Sequence, residues 1–307
     1  MLQLSLVPLM LVAAAAAQAP AGENAVFEEL VAKGVTMSDG AAFKLPPPIV
    51  ADGLDAAAQQ AAIAKAPRIR GTVKEFLSKS YYAPVAVKVR TLRPSPDDGP
   101  AVRGVDVWFV VHGDWDALGS KGFLDSMTNS REGKSGVVSK SGVLSDREMA
   151  KRKLSATADG TRRVPATGSE ERFLYTTFSL FERVEISTTR RAVLSKGKDF
   201  ILAAGRVDPR FDKDPDYPNQ WRPLLRDARA EIKPGPAHPF RHAGGYAKIT
   251  RLHEPEGAVF IECHLVYEED YGWFDGANLV KQKIPAMVQE QVRVFRRKLA
   301  VASEAKK

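Results

Sequence analysis

The chain of 307 residues contains one cysteine, Cys263, so it cannot form a disulfide bond within itself. It also lacks an Asn-x-Ser/Thr sequon, and beyond its first 19 residues it lacks any apolar run long enough to span a membrane. These absences exclude a disulfide-stapled scaffold and a protein with several membrane spans. A chain of this length, with 44% hydrophobic residues, must instead fold around its own core, in one large domain or two small ones.

The sequence has little that indicates catalysis. It contains no G-x-S-x-G elbow, no phosphate loop and no dinucleotide-binding fingerprint. His238 and His242 are four residues apart, but the neighbouring prolines predict a loop, and no third metal ligand accompanies them. Asp212, Asp214 and Asp216 imitate the start of an EF-hand loop, which then lacks its glycine and its closing glutamate. We therefore predict no catalytic residue, no metal and no cofactor, and a non-enzymatic role is favoured.

One strand-like segment, residues 257–269, carries the remaining candidates for chemistry. Its alternation places Cys263 on an apolar face, which predicts a buried and inert thiol. Glu262 and His264 share the opposite face, where they could act as an acid and a base if they lined a cleft. Because the apolar face should be the covered one, we expect Glu262 and His264 to face solvent.

The N-terminus resembles an export signal. Residues 2–19 carry no charged side chain and end in Ala17-Gln18-Ala19, a pattern typical of signal-peptide cleavage. The missing Lys or Arg before the apolar stretch and Pro20 just after it oppose this interpretation. An uncleaved membrane anchor is the alternative, although the stretch is short and Ala-rich for a stable span. We predict a signal peptide over residues 1–19 and a secreted or periplasmic bacterial protein, without a transmembrane anchor after cleavage.

The chain is basic, with 45 Lys and Arg against 37 Asp and Glu, a net charge of +8. A basic surface attracts anionic lipid, nucleic acid or acidic polymers. An exported protein seldom meets nucleic acid, and no nucleic-acid-binding motif is present. We expect no nucleic-acid partner. An anionic surface stays open as a partner, and a solvated basic face is the simpler interpretation.

The order of predicted elements indicates an α+β fold. An N-terminal tether with short helices is predicted over residues 20–67, the main domain over 68–301 and a disordered tail over 302–307. Strand patterns fill much of the main domain, whereas residues 208–241 are predicted to be a proline-rich loop. The last element is a helix long enough to cover one face of an antiparallel sheet. Its apolar stripe consists of Ile284, Val288, Val292, Phe295 and Leu299.

The C-terminal sequence NLVKQKIPAMVQEQVRVFRRKL follows a β-hairpin pattern and an aromatic-glycine loop. This ending resembles the START-like / polyketide cyclase (SRPBCC) superfamily, in which a proline and a basic-apolar ending occur in the last helix. Ile284-Pro285 and residues 294–297 take those places here. The resemblance implies a helix-grip fold, a curved antiparallel sheet wrapped around a long C-terminal helix with an apolar cavity between them. The polar insertion at 128–168 and the loop at 208–241 depart from a minimal domain of this kind.

The resemblance implies that the cavity binds an apolar or amphipathic, lipid-like small molecule. The strand face that carries Cys263 should face the helix, and the aromatic loop, turned by Asp275-Gly276, should act as a gate. A cyclase or hydrolase in the same cavity, an interaction protein with a basic docking face, and a solid core without a ligand are the alternatives. The predicted ligand-binding residues are Ile261, Leu265 and Tyr267 on the strand, Tyr271, Trp273 and Phe274 in the loop, and Ile284, Met287, Val288, Val292 and Phe295 on the helix.

Overall fold

The protein has an α+β fold in which one long C-terminal helix accompanies a large antiparallel sheet. The structure is a computed structural model. It describes residues 24–67, 69, 71–95, 99–118, 140–154, 169–227, 231–271, 273–274 and 279–304. The predicted signal peptide at 1–19 and the turn Asp275-Gly276 therefore lie outside the described residues, as does most of the polar insertion.

The N-terminal part contains three short helices and a two-stranded ribbon. Side chains cap the helices: Asn24 accepts a hydrogen bond from the Phe27 amide, Asp55 accepts one from the Ala58 amide, and Thr72 forms a capping box. In chain order the elements are α1 (Ala25–Ala32), β1 (Val35–Thr36), β2 (Ala42–Phe43), α2 (Ala56–Ala64) and α3 (Val73–Phe76).

The main sheet has 11 strands, and every pairing in it is antiparallel. Its central path runs β10-β9-β7-β8-β12-β13-β4-β3, and β6 pairs along the other edge of β7. The strands are β3 (Ala86–Arg93), β4 (Ala101–His112), β5 (Lys140–Val143), β6 (Glu170–Leu180), β7 (Val184–Lys196), β8 (Phe200–Val207), β9 (Gln220–Arg226), β10 (Ile232–Pro234), β11 (His238–Pro239), β12 (Ala243–Arg251) and β13 (Ala258–Glu269).

Three further α-helices occur in the described part of the chain: α4 (Trp115–Leu118), α5 (Asp146–Lys151) and α6 (Leu279–Glu304). The predicted stripe from Ile284 to Leu299 is confirmed, because all of its members are buried. Helix α6 continues through Pro285 and extends to Glu304, so residues 302–304 are helical rather than part of a disordered tail. Arg296 fastens this helix to the sheet region, since its guanidinium donates to the carbonyls of Val110 at 2.9 Å and Ala83 at 2.7 Å.

Both faces of the sheet are covered, and strand β13 shows the division. Ile261 and Cys263 belong to the core on the α6 side of the sheet, as predicted. Phe260 and Val266 belong to separate clusters on the other side, which we call the outer face. Successive side chains of a strand point to opposite faces. The alternation that the sequence predicted for β13 is therefore present.

The predicted tether at 20–67 needs correction in its described part, residues 24–67. Leu30 of α1 belongs to one buried cluster with Tyr246 and Val266, and Ile63 of α2 belongs to another with Phe260. This segment is a packed layer over the outer face. A tether was predicted because its helices are short and its prolines are grouped, and neither feature reveals which distant surface the segment covers.

Two other expectations were wrong for related reasons. Glu262 and His264 are 0% and 1% exposed, because the N-terminal segment covers the face that they share. The predicted loop at 208–241 contains β9, β10 and β11 as well as a 3-10 helix at Pro209–Phe211. Pro234 and Pro239 lie in β10 and β11, short strands that pair with β9 at the edge of the sheet, where a missing amide donor costs little. The abundance of prolines in this segment therefore did not exclude strands.

Candidate ligand-binding site

An apolar cavity of about 110 Å³ lies between the inner, α6-facing side of the sheet and the N-terminal half of α6. Six strands contribute to its wall, β4, β6, β7, β8, β12 and β13. Ile284 and Met287 close it from the helix, and Trp273 closes it from the loop before the helix. Strand alternation explains the wall, because residues two apart on each strand point to the same face.

The cavity brings together part of the predicted site. Leu265, Tyr267, Trp273, Ile284 and Met287 line it. The remaining predicted residues lie elsewhere in the same region: Ile261, Phe274, Val288, Val292 and Phe295 are buried in the surrounding core, and Tyr271 is 60% exposed.

Trp273 is the centre of an aromatic cluster at the end of the sheet. Its ring is 5.9 Å from Trp221, 5.7 Å from Phe240 and 6.2 Å from Tyr267, measured between ring centroids. The side chain is only 2% exposed. Burial raises the pKa of Tyr267, so this phenol stays neutral at physiological pH. The cluster gives the cavity an apolar end wall of packed aromatic rings.

Sequence reasoning missed three polar residues in the cavity wall, Thr176 on β6 and Thr188 and Arg190 on β7. The signal was present in β7, where Val184, Ile186, Thr188, Arg190 and Ala192 alternate along one face. A charged residue in such a row points toward the covered side of the sheet. The sequence prediction used alternation for the strand at 257–269 and not for β7.

Arg190 is partly buried, and its Nε atom is fully buried with no hydrogen-bond partner among the described residues. The Thr176 hydroxyl and the Trp273 indole nitrogen are also buried without a hydrogen-bond partner among the described residues. Burial lowers the pKa of the Arg190 guanidinium to about 10, so it remains a cation at neutral pH. Buried polar groups normally have partners, so three unpartnered atoms around one cavity require an explanation.

A second group of buried polar residues lies on the outer face, beneath the N-terminal segment. His264 Nδ1 is 2.9 Å from Asp106 Oδ1, and Arg90 Nε donates to Asp106 Oδ2 at 2.8 Å. Glu262 Oε2 accepts the Ile49 amide at 2.9 Å and lies 3.7 Å from His264 Nε2. These residues connect strands β3, β4 and β13 to the covering segment. Their role in the structure is to join layers.

The environment of this group sets its protonation. Burial favours the neutral form of Asp106, but hydrogen bonds from His264 and Arg90 outweigh burial and lower the pKa of Asp106. Burial also favours neutral His264, yet its contacts with Asp106 and Glu262 raise the pKa of His264 overall. The imidazolium and the carboxylate therefore stabilise each other.

The other candidate residues from the sequence, two histidines and the cysteine, make packing or backbone contacts. His238 stacks on Trp221 with the ring centroids 4.5 Å apart, and His242 Nδ1 is 2.8 Å from the Thr36 carbonyl. Burial raises the pKa of the Cys263 thiol, which agrees with the predicted inert thiol. In the part of the chain that the structure describes, no group of three His, Cys, Asp or Glu residues could hold a metal ion.

In comparisons with known proteins, no family model matches the chain. No curated protein matches it significantly. The resemblance to the START-like superfamily therefore stays a prediction. Among the helices of the described residues, none is both long and apolar enough to cross a membrane.

Proposed function

We propose that the protein binds an apolar or amphipathic small molecule in the cavity between its sheet and α6. The cavity itself carries this proposal. Its wall is built from side chains of six strands and of α6, and most of them are apolar. Small-molecule sites are typically concave and apolar, with a few polar groups that fix the orientation of the ligand. Thr176, Thr188 and Arg190 would have that role here.

The proposal includes a helix-grip arrangement, in which the sheet curves around α6. The order of elements supports it, since the β12–β13 hairpin leads through the aromatic loop into the long helix. Helix α6 carries Pro285 inside it, as the START-like resemblance implies. We also propose export to the periplasm or the cell surface, on the basis of the predicted signal peptide at 1–19.

The volume of the cavity limits what can bind without movement. At about 110 Å³ it is smaller than the roughly 300–1,000 Å³ that is usual for drug-sized ligands. A lipid-sized ligand would need Trp273 and the first turns of α6 to move outward. Pro285 helps, because it lacks the amide that would bond to the Lys281 carbonyl and so weakens the helix there.

Non-covalent binding fits the wall better than acid–base catalysis. The described wall residues include no His, Cys, Asp or Glu that could move a proton near neutral pH. A cyclase or hydrolase in the same cavity would have to work with Arg190, two threonine hydroxyls and the neutral phenol of Tyr267. These groups can orient and polarise a carbonyl group but are poor bases near neutral pH.

Displacement of a neutral naphthylamine fluorophore from the purified full chain tests the proposal. Met287→Trp should weaken binding roughly 10-fold or more, because the indole fills space that the probe needs. Val301→Trp is the matched control on the same helix, since Val301 is 67% exposed. Unchanged probe binding by folded Met287→Trp would contradict the proposal. So would the failure of neutral and charged amphiphiles alike to bind the folded wild type.

A further inference from the structure

The unpartnered groups in the cavity wall indicate the chemical class of the ligand. We infer that it is an amphipathic monoanion, with a carboxylate head bound by Arg190 and an apolar tail that lies along β6 and β7. This inference rests on the proposed function and specifies its ligand. It is carried by three independent features of the wall: the kind of atoms left without partners, the isolation of the Arg190 charge, and the order of residues along the two strands.

All three unpartnered atoms can donate a hydrogen bond. Trp273 Nε1 and Arg190 Nε can only donate, and the Thr176 hydroxyl can donate or accept. A ligand that satisfies them together must therefore present acceptors. An ionised carboxylate offers two oxygens and no donor, and its planar geometry matches the edge of a guanidinium. An ammonium head has donors only and would leave these groups unsatisfied.

The charge of Arg190 is isolated among the described residues, where no carboxylate lies within ion-pair distance of it. Its chain neighbour Arg191 points to the other face and is ion-paired with Glu171. Arg172 on β6 is likewise paired with Glu170 at 2.6 Å. An unpaired cation in an apolar wall is costly, and one negative charge compensates it. A monoanion is therefore the matching ligand.

The register of β6 and β7 arranges the wall from polar to apolar. Thr176 lies opposite Thr188, and Arg190 is the next residue of β7 on the same face, about 7 Å further along. In the other direction Phe178 lies opposite Ile186, and Leu180 follows on β6. All of these side chains line the cavity. A head at Arg190 would place its tail over Phe178, Ile186 and Leu180.

Calorimetric titration of the full chain with octanoate, 1-octanol and octylammonium separates head from tail. Octanoate should bind the wild type roughly 10- to 100-fold more tightly than octanol, as expected for a charge-assisted hydrogen bond in an apolar site. Octylammonium should bind less tightly than octanol. In Arg190→Met, octanoate affinity should fall to the level of octanol, while octanol binds at least as tightly as before. Arg191→Met is the control and should keep the octanoate preference.

The outcomes distinguish this inference from the proposed function. If octanol and octanoate bind the wild type equally, the inference is overturned and the cavity function stands. If none of the three binds the folded wild type, both are overturned. An octanoate preference that survives in Arg190→Met would also overturn the inference. The comparison of octanol with octanoate in the wild type needs no variant. As a control for folding, unliganded Arg190→Met should have a melting temperature no lower than that of the wild type, because the substitution removes an unpaired charge.

Discussion

At the scale of single residues, the two faces of the sheet differ in whether their charged side chains have partners. On the outer face, Asp106 has both Arg90 and His264 as partners. On the inner face, Arg190 has no such partner among the described residues. Opposite charges that pair with each other stabilise a structure, whereas a buried cation without an ion-pair partner beside a cavity suggests an unfilled site. This contrast is why we assign binding to the inner face and a layer-joining role to the outer one.

The outer network predicts a pH dependence of stability. The raised pKa of His264 means that its contribution is fully present below the unfolded value of about 6.5 and is lost as pH rises through the folded pKa. The lowered pKa of Asp106 means that its contribution is present above about pH 4 and is lost as pH falls through its folded pKa. The network therefore stabilises the fold most between about pH 4 and pH 6.5.

Replacing His264 should reveal this dependence. His264→Gln should lower the free energy of unfolding by roughly 1–3 kcal/mol at pH 6, measured by urea denaturation. The difference from wild type should shrink toward pH 9, because the imidazolium of wild-type His264 loses its proton as pH rises through the raised pKa of His264. Exposed His253 provides the control variant, His253→Gln, which should stay near wild type at both values. An identical destabilisation by His264→Gln at pH 6 and pH 9 would contradict the account.

At this scale the sequence predicted the side of the sheet to which a side chain points, but not what that side chain contacts. Alternation in β13 placed Cys263 on the inner face and His264 on the outer face, and both assignments are correct. Alternation gives the side of a sheet to which a residue points. It carries no information on what covers that side, so the burial of His264 was missed. Arg190 was missed because an arginine in a strand pattern is by itself equally typical of a solvated basic face.

At the scale of elements, α6 is the part that the sequence predicted best. Its stripe is a local pattern with a period of 3.6 residues, and local patterns do not depend on distant contacts. The strands β9 to β11 were missed because they are short and contain Pro223, Pro234 and Pro239. Their pairing partners are distant in sequence, for example Val184 with Pro223, and no local pattern encodes that contact.

Pro285 should affect both the stability and the movement of α6. Pro285→Ala should raise the free energy of unfolding by roughly 1–3 kcal/mol, because alanine restores an amide that can bond to the Lys281 carbonyl. The same change should slow the binding of the neutral fluorophore, since the first helical turns would open less easily. Thermal unfolding and stopped-flow fluorescence check the two effects. Lower stability in Pro285→Ala would show that the proline is not a weak point of the helix.

At the scale of the whole molecule, the fold is a sheet covered on both faces by different parts of the chain. The core on the inner face includes α6, and residues 24–67 cover the outer face. The sequence predicted only the first of these covers, because only α6 is long and strongly amphipathic. The layer over the outer face consists of short elements, and each of them contributes only a few buried residues. Their packing becomes visible only when the sheet that they contact is known.

The N-terminal layer predicts a large effect from a small change. Leu30→Ala should lower the free energy of unfolding by roughly 2–4 kcal/mol, because Leu30 is 1% exposed and belongs to a buried cluster. Glu28 is exposed in the same helix, so Glu28→Ala is the control. It should change the free energy of unfolding by no more than about 0.5 kcal/mol. Chemical denaturation measures both. An unchanged free energy of unfolding in Leu30→Ala would support the original expectation of a tether.

The central claim is that the inner cavity takes up an amphipathic ligand, and methionine methyl NMR tests it most directly. Met287 lines the cavity, whereas Met37 is buried in the outer cluster and serves as an internal control. Titration of the methyl-labelled full chain with octanoate should shift the Met287 signal in a saturable way and leave Met37 in place. An unchanged Met287 signal, or a saturable shift of Met37 instead, would contradict the account.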